Sequence, residues 1–134
     1  MSTLPPVLQK LSLPVIGSPL FIISNPQLVI AQCQAGIVGS MPALNARPAA
    51  QLDDWLAEIT ETLAAYDQAH PDKPSAPFAI NQIVHKSNDR CHHALQACAK
   101  YKVPLAIKSL VTRADANRAV SGTGVVVLLH AINH

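Results

Sequence analysis

A strand, a loop and a helix follow one another near the start of this chain, and their order constrains the fold more than any other feature. The short apolar run 14–16 predicts a buried strand, and residues 17–24 predict a loop at its end. Asn25 followed by Pro26 predicts a helix start, because asparagine is a favoured N-cap and proline suits the first helical position. This unit opens parallel β/α folds, whose chemistry lies at the carboxyl ends of the strands.

Strands and helices continue to alternate along the rest of the chain. The further predicted strands cover residues 37–43, 78–84, 103–110 and 125–132. The predicted helices begin at Pro26, near Leu52, at Asn88 or Asp89, and at Thr112, the last one ending near Gly122. Such alternation implies parallel strands joined by right-handed crossovers. The predicted fold class is therefore α/β with a parallel sheet.

The helix near Leu52 has the clearest periodicity in the chain. Its apolar residues fall at helical spacing and are Leu52, Trp55, Leu56, Ile59 and Leu63. Asp53 and Asp54 near its start favour the helix dipole, and we assign them no other role. Three prolines in residues 70–77 predict a linker after it. Gly36 is placed to end the first helix as a C′ glycine, and Cys33 within that helix is expected to be a small buried hydrophobe.

Length and composition predict one domain, residues 1–134, with residues 1–12 as a lead-in. Nearly half of the residues are apolar, which favours buried parallel strands covered by helices. The net charge of +2 is scattered, and no aromatic residues are interleaved with the basic ones, so we expect no nucleic-acid partner. No apolar stretch is long enough to span a bilayer, and no signal peptide is evident. Three irregularly spaced cysteines indicate a reducing, cytoplasmic setting.

One cluster suggests a metal site. Cys91, His92, His93 and Cys98 lie close together in the sequence. Cys91 and Cys98 share a helix face but the two histidines point elsewhere, and no second pair stands at ligand spacing. We therefore expect no metal site here.

Four segments resemble the nitronate monooxygenase family, also called the 2-nitropropane dioxygenases. Residues 14–26 and 35–47 resemble the family's opening, residues 78–81 its third strand, and residues 103–110 its fourth. The resemblance extends over residues 12–133 in the family's order. It implies an FMN-binding (β/α)₈ (TIM) barrel, and since such barrels need about 200 residues or more, this chain would supply the first five strands and four helices.

The resemblance also implies a flavin site. Pro19, Leu20 and Phe21 would meet the isoalloxazine ring through backbone groups, and Asn81 matches a flavin-site asparagine of the third strand. A reduced flavin gathers negative charge at N1 and O2, where an amide donor or a cation is stabilising. The alternative for Asn81 is a residue that caps a turn at the end of a strand.

Two further residues complete the implied site. Lys108 ends the fourth predicted strand, where some family members place a lysine near flavin N1 and O2. His130 holds a fifth-strand position where related enzymes carry a polar ligand residue. Each has a simpler alternative: Lys108 can extend along apolar surface to water, and His130 can be a core histidine with a local hydrogen-bond partner.

The sequence departs from the family in its last part. The family's phosphate-binding loops and catalytic histidine lie in later segments, and residues 121–127 differ from the expected pattern. The predicted fifth strand ends two residues before His134, with no helix after it to protect the sheet edge. We therefore expect a truncated form that does not hold the FMN phosphate alone, contains no catalytic residue, and self-associates through exposed sheet edges.

The function implied by the resemblance is oxidative denitrification of alkyl nitronates with O₂. A related FMN barrel, an enoyl reductase that uses NAD(P)H, is the alternative within enzymes. A non-catalytic fragment or interaction module is a third hypothesis. A five-stranded flavodoxin-like domain fits the element count, but residues 17–24 contain proline and bulky apolar residues instead of a phosphate-binding loop.

Overall fold

The computed structural model describes residues 6–83, 90–109 and 126–130. Four strands form one parallel sheet in the order of the chain, and they are β1 (Gly39–Pro42), β2 (Phe78–Ile83), β3 (Leu105–Ser109) and β4 (Val126–His130). Within these ranges, three α-helices accompany the strands: α1 (Pro26–Ala35), α2 (Gln51–Ala69) and α3 (Arg90–Lys100). Short 3₁₀ helices occupy Pro6–Leu8 and Ala43–Asn45. The predicted parallel α/β fold is confirmed.

The predicted first strand is reduced to a single bridge beside β1. Ile16 pairs with Val38 in parallel, supported by hydrogen bonds from Gly17 N to Val38 O (2.8 Å) and from Val38 N to Val15 O (3.1 Å). The expectation that this strand is buried is wrong, since Val15 is 46% exposed. Pro14 has no N–H for a sheet ladder, which shortens the pairing. The segment still occupies the first of five parallel positions.

Both ends of α1 form as the sequence predicts. The Asn25 side-chain oxygen accepts a hydrogen bond from Leu28 N at 2.9 Å, and Pro26 opens the helix. Gly36 ends it at φ +96°, a left-handed conformation that suits glycine. The two caps fix where the loop before α1 ends and where β1 begins.

The apolar stripe of α2 is buried, with Trp55 half-buried against the same core. Asp53 has a role beyond the helix dipole. Its carboxylate lies 3.1 Å from His93 Nε2 and 3.8 Å from Lys100 Nζ, so it connects α2 to α3. The sequence prediction for Asp53 was therefore incomplete, because α3 lies almost forty residues further along the chain.

The two faces of the sheet bury different cores. The face covered by the helices carries the larger core, whose most buried members include Val29, Cys33, Met41, Leu52, Leu56, Ile59 and Ile80. The opposite face has a smaller core of Leu8, Val38, Ala79 and Leu105. Leu8 comes from the 3₁₀ helix at the start of the chain, so the predicted lead-in also contributes to a core.

Several predictions concern residues outside the described ranges. They include the helix at 112–122, its capping residues, the start of the third helix at Asn88 or Asp89, and the ends of three strands. Within the ranges that are described, no helix combines the length and the apolarity that a bilayer crossing requires.

Candidate functional site

The candidate residues on the strands lie at the carboxyl end of the sheet. Asn81 in β2 is in register with Pro42 of β1 and Ile107 of β3. One residue further along the strands, Lys108 of β3 is in register with Gln82 of β2. One residue beyond that, His130 of β4 is in register with Ser109 of β3. The backbone thus brings the three predicted residues into three consecutive rows of adjacent strands. For Lys108 and His130, the structure establishes this register position and no more.

Asn81 and Gln82 are neighbouring amides that face opposite sides of the sheet. Side chains alternate along a strand, so Asn81 shares a face with Ala79, which belongs to the smaller core. Gln82 faces the helices, where its Nε2 lies 3.5 Å from Cys98 Sγ of α3. Asn81 is only 9% exposed. The structure therefore places the predicted flavin-site amide, nearly buried, on the face that the three α-helices do not cover.

Residues 17–24, which we call the Phe21 loop, are closed by hydrogen bonds between Leu20 and Ser24. Ser24 N donates to Leu20 O at 3.0 Å, and Leu20 N donates to Ser24 Oγ at 2.8 Å. The Ser40 hydroxyl of β1 donates to Gly17 O at the base of the loop. Ser24 and Ser40 are both fully buried. The loop is thus tied both to itself and to the sheet.

Asn45 is a site residue that the sequence analysis missed. Its Nδ2 donates to Leu20 O at 3.0 Å and to Ser24 O at 2.8 Å, while its Oδ1 accepts from Ile22 N at 3.0 Å. Sequence inspection places Asn45 only in a polar turn after a strand. The available signal was a single asparagine at a strand end, which does not specify a partner more than twenty residues earlier.

The Phe21 loop presents apolar side chains to solvent. Phe21 is 55% exposed and Ile22 76% exposed, with Leu20 and Ile23 also exposed. The Arg47 guanidinium lies 5.4 Å from the centre of the Phe21 ring, within the range of a cation–π contact. A loop that is held by internal hydrogen bonds and still exposes its apolar side chains offers an apolar surface to a partner or ligand.

The backbone of Leu20 is already engaged within the loop. Its N–H donates to Ser24, and its carbonyl accepts from both Ser24 N and Asn45 Nδ2. A carbonyl oxygen has two lone pairs, and here both are used. The Leu20 side chain, 47% exposed, is therefore more available to a ligand than its backbone groups are.

The described thiols are not poised for chemistry. Burial raises the pKa of Cys33 to about 11 against a small lowering by its hydrogen bond with the Gly39 backbone. Burial likewise raises the pKa of Cys98 to about 11, against the lowering effect of Gln82. A protonated thiol is a poor nucleophile and metal ligand. The described ranges contain no group of three or more His, Cys, Asp or Glu arranged to hold a metal ion.

A separate open groove of about 370 Å³ lies near the amino end of β2. It is lined by α2 and by residues 75–78, and Asp67 is the charged residue of its lining. The Asp67 Oδ1 accepts hydrogen bonds from both the N–H and the hydroxyl of Ser75, each at 2.7 Å. This carboxylate thereby fixes the linker that enters β2, at the end of the sheet opposite Asn81.

Solved structures of FabK resemble this chain in fold. FabK from Thermotoga maritima superposes with a TM-score of 0.70 at 19% sequence identity, covering 92% of this chain and 35% of FabK. A point mutant of the same protein gives a TM-score of 0.68 at 18% identity, covering 92% of this chain and 37% of that one. No protein family model and no curated protein matches the sequence.

The chain thus spans about a third of the FabK chains that it resembles. At this level of identity, the likeness establishes the fold. The fold is that of part of a TIM barrel, as the sequence predicts.

Proposed function

We propose that this chain forms part of an FMN-dependent oxidoreductase barrel. The observation that carries the proposal is the superposition of 92% of the chain on FabK with a TM-score of 0.70. FabK is an FMN-dependent enoyl reductase with a TIM-barrel fold. The four segments that resemble nitronate monooxygenases support the same cofactor independently, because they were identified from residues alone.

The residues at the carboxyl end of the sheet fit a flavin ring. Its flat apolar surface matches the exposed Leu20 and Phe21 side chains, and its polar edge matches a nearly buried amide such as Asn81. Ligand sites commonly combine an apolar lining with a few polar groups of this kind. We assign Leu20 and Phe21 side-chain contacts, Pro19 a supporting position in the same loop, and Asn81 a hydrogen bond to the ring edge.

A bound flavin would supply the acceptor and donor of electrons in this site. The chain's own contribution is binding and electrostatics. The Asn81 amide donates a hydrogen bond, which favours negative charge at the ring edge. His130, two register rows beyond Asn81, is proposed to add a polar ligand group at the same edge. Lys108 lies in the row of Gln82, which alternates to the helix-covered face, so we do not propose that it contacts the ring.

Two substrate classes remain candidates. The sequence segments favour an alkyl nitronate oxidised with O₂, whereas the FabK neighbours favour an enoyl thioester reduced with NAD(P)H. The structural finding supports the enoyl reductase more than the nitronate monooxygenase. We propose the flavin-dependent oxidoreductase as the common function and treat the substrate as the question to be tested.

The first test is flavin binding, measured by the quenching of flavin fluorescence on titration with the protein. Riboflavin and FMN differ only in the phosphate, so similar affinities would locate binding at the ring. We expect Asn81→Leu to weaken riboflavin binding about tenfold, the loss of roughly one hydrogen bond to a ligand. Gln96→Ala, an exposed amide on α3, is the matched control. No quenching by the wild-type protein at millimolar flavin would contradict the proposal.

The second test separates the substrates. Since this chain spans about a third of FabK, a full-length relative is loaded with FMN and assayed with propionate 3-nitronate and O₂, and in parallel with NADH and an enoyl thioester. Turnover of the nitronate alone supports the monooxygenase, and NADH-dependent reduction of the thioester supports the reductase. Flavin that is bound but reduced by neither substrate would reject both assignments.

A further inference from the structure

One side chain holds the Phe21 loop in shape. Asn45 is the last residue of the 3₁₀ helix that follows β1, and it bonds three backbone groups of the loop. The separation in sequence is more than twenty residues. The loop conformation therefore depends on a contact that only the folded sheet brings about.

The loop needs such a contact because its backbone is strained. Ile22 has a φ of +68°, in the left-handed region that β-branched residues rarely adopt. A residue in this region is strained and persists only where its surroundings enforce it. The hydrogen bond from Ile22 N to Asn45 Oδ1 is made by the strained residue itself.

The bonding pattern requires an asparagine. One end of the side chain accepts from an N–H, and the other end donates to two carbonyls, Leu20 O and Ser24 O. Aspartate would keep the acceptor but would place a carboxylate oxygen against those two carbonyls, since an ionised carboxylate has no donor. Alanine would remove all three bonds. The alanine variant therefore reports the loss of the three hydrogen bonds, and the aspartate variant adds repulsion between the carboxylate and the two carbonyls.

The segment that carries Asn45 also holds the Phe21 side chain. Arg47 lies over the Phe21 ring, and its own Nε donates to Leu44 O at 3.2 Å. Backbone and side chain of the Phe21 loop are therefore both supported from residues 44–47. Together these contacts fix the direction in which the Phe21 side chain points.

We propose that Asn45 is a positioning residue, which fixes the Phe21 loop so that Leu20 and Phe21 present their side chains to a flavin ring. This inference rests on the proposed function. Asn45 itself is not assigned a contact with the flavin, because its three hydrogen bonds go to the loop.

The test begins with hydrogen exchange at the Ile22 amide, measured by NMR. We expect Asn45→Ala and Asn45→Asp each to accelerate this exchange about tenfold or more, because the amide loses its acceptor or its fixed geometry. Asn25→Ala is the matched control, since it removes an asparagine-to-backbone bond at the α1 cap and leaves the loop contacts in place. Unchanged exchange at Ile22 in both Asn45 variants would overturn the inference.

Riboflavin titration then distinguishes positioning from a purely structural role. We expect riboflavin affinity to fall several-fold in Asn45→Ala and further in Asn45→Asp, with little change in Asn25→Ala even where its unfolding temperature drops. Faster exchange at Ile22 with unaltered riboflavin affinity would show that the loop does not position a flavin contact. Absence of riboflavin binding in the wild-type protein would instead reject the proposed function, and this inference with it.

Discussion

The two faces of the sheet are packed with different kinds of side chain. The helix-covered face is packed with large apolar side chains, among them Met41, Ile59 and Ile80, each with no exposed surface. The opposite face has a smaller core near the amino ends of the strands and a nearly buried amide, Asn81, toward their carboxyl ends. One face carries most of the apolar core, and the other combines a smaller core with a nearly buried polar side chain.

This difference indicates where mutations act. On the helix-covered face, a substitution should change the free energy of unfolding. On the opposite face, the same kind of substitution should change it less and should affect ligand binding near Asn81 more.

The largest effect is expected for Leu56→Ala. Leu56 has no exposed surface within the larger core, and truncating such a leucine costs about 3–5 kcal/mol. Leu8→Ala, in the smaller core, should cost about 2 kcal/mol, the low end for such a truncation, because the 3₁₀ helix that carries it can relax around the gap. Urea unfolding followed by circular dichroism measures both. Equal losses would show that the two faces contribute alike.

The second comparison uses two glycines. A Cβ at Gly39 would collide with the Val29 carbonyl and touch Cys33 Sγ, where α1 crosses β1. A Cβ at Gly17 would meet only the side-chain amide of Gln32, which can move. We expect Gly39→Ala to destabilise the fold by about 2–3 kcal/mol and Gly17→Ala by less than about 1 kcal/mol. Thermal unfolding that ranks Gly17→Ala as the more damaging would contradict this packing.

The third prediction concerns alkaline pH. Cys33 and Cys98 have pKa values of about 11 in the folded protein, above the usual value of 9.0, because burial disfavours the thiolate. The stability from each protonated thiol is fully present below pH 9 and is lost as the pH rises through 11, up to roughly 2–3 kcal/mol per thiol. Urea unfolding at pH 8 and at pH 10.5 measures this loss.

Cys33→Ala and Cys98→Ala serve as the controls for that measurement. Each variant should be less stable than the wild type at pH 8 but should lose less stability between the two pH values. Identical alkaline losses in the wild type and both variants would assign the effect to other groups.

The smallest effect is expected for the link between α2 and α3. Asp53 lies within 4 Å of both His93 and Lys100, but these partners are substantially exposed. Exposed ion pairs contribute about 0–1 kcal/mol. Asp53→Asn should therefore lower stability by less than about 1 kcal/mol, and the loss should shrink in 1 M salt. A larger, salt-independent loss would point to a packing role for Asp53.

Local patterns in the sequence predicted most of the fold. The Asn25 cap, the Gly36 terminus and the apolar stripe of α2 each depend on residues within a few positions, and each forms as predicted. The prediction that residues 14–16 form a buried strand was wrong. Burial depends on the neighbouring elements that pack against a strand, and the residues of the strand itself do not reveal those neighbours. The contribution of Leu8 to a core was missed for the same reason.

The site was less predictable than the fold. Asn81 was identified through a family resemblance, and its near burial on the open face agrees with that assignment without testing it. Asn45 could not be identified, because its function depends on three backbone groups around Ile22 that the folded chain brings to it. The positive φ of Ile22 is equally a product of that contact, since isoleucine gives no local signal for it.

The proposed flavin site at the carboxyl end of the sheet is tested most directly by mapping riboflavin binding on the isotope-labelled protein with NMR chemical shifts. We expect shifts concentrated at Leu20 and Phe21 and at the side-chain amide of Asn81. Gln82 and Cys98, on the helix-covered face, should change little. Shifts centred on the groove around Asp67, or no shifts at saturating riboflavin, would contradict a flavin site at the carboxyl end of this sheet.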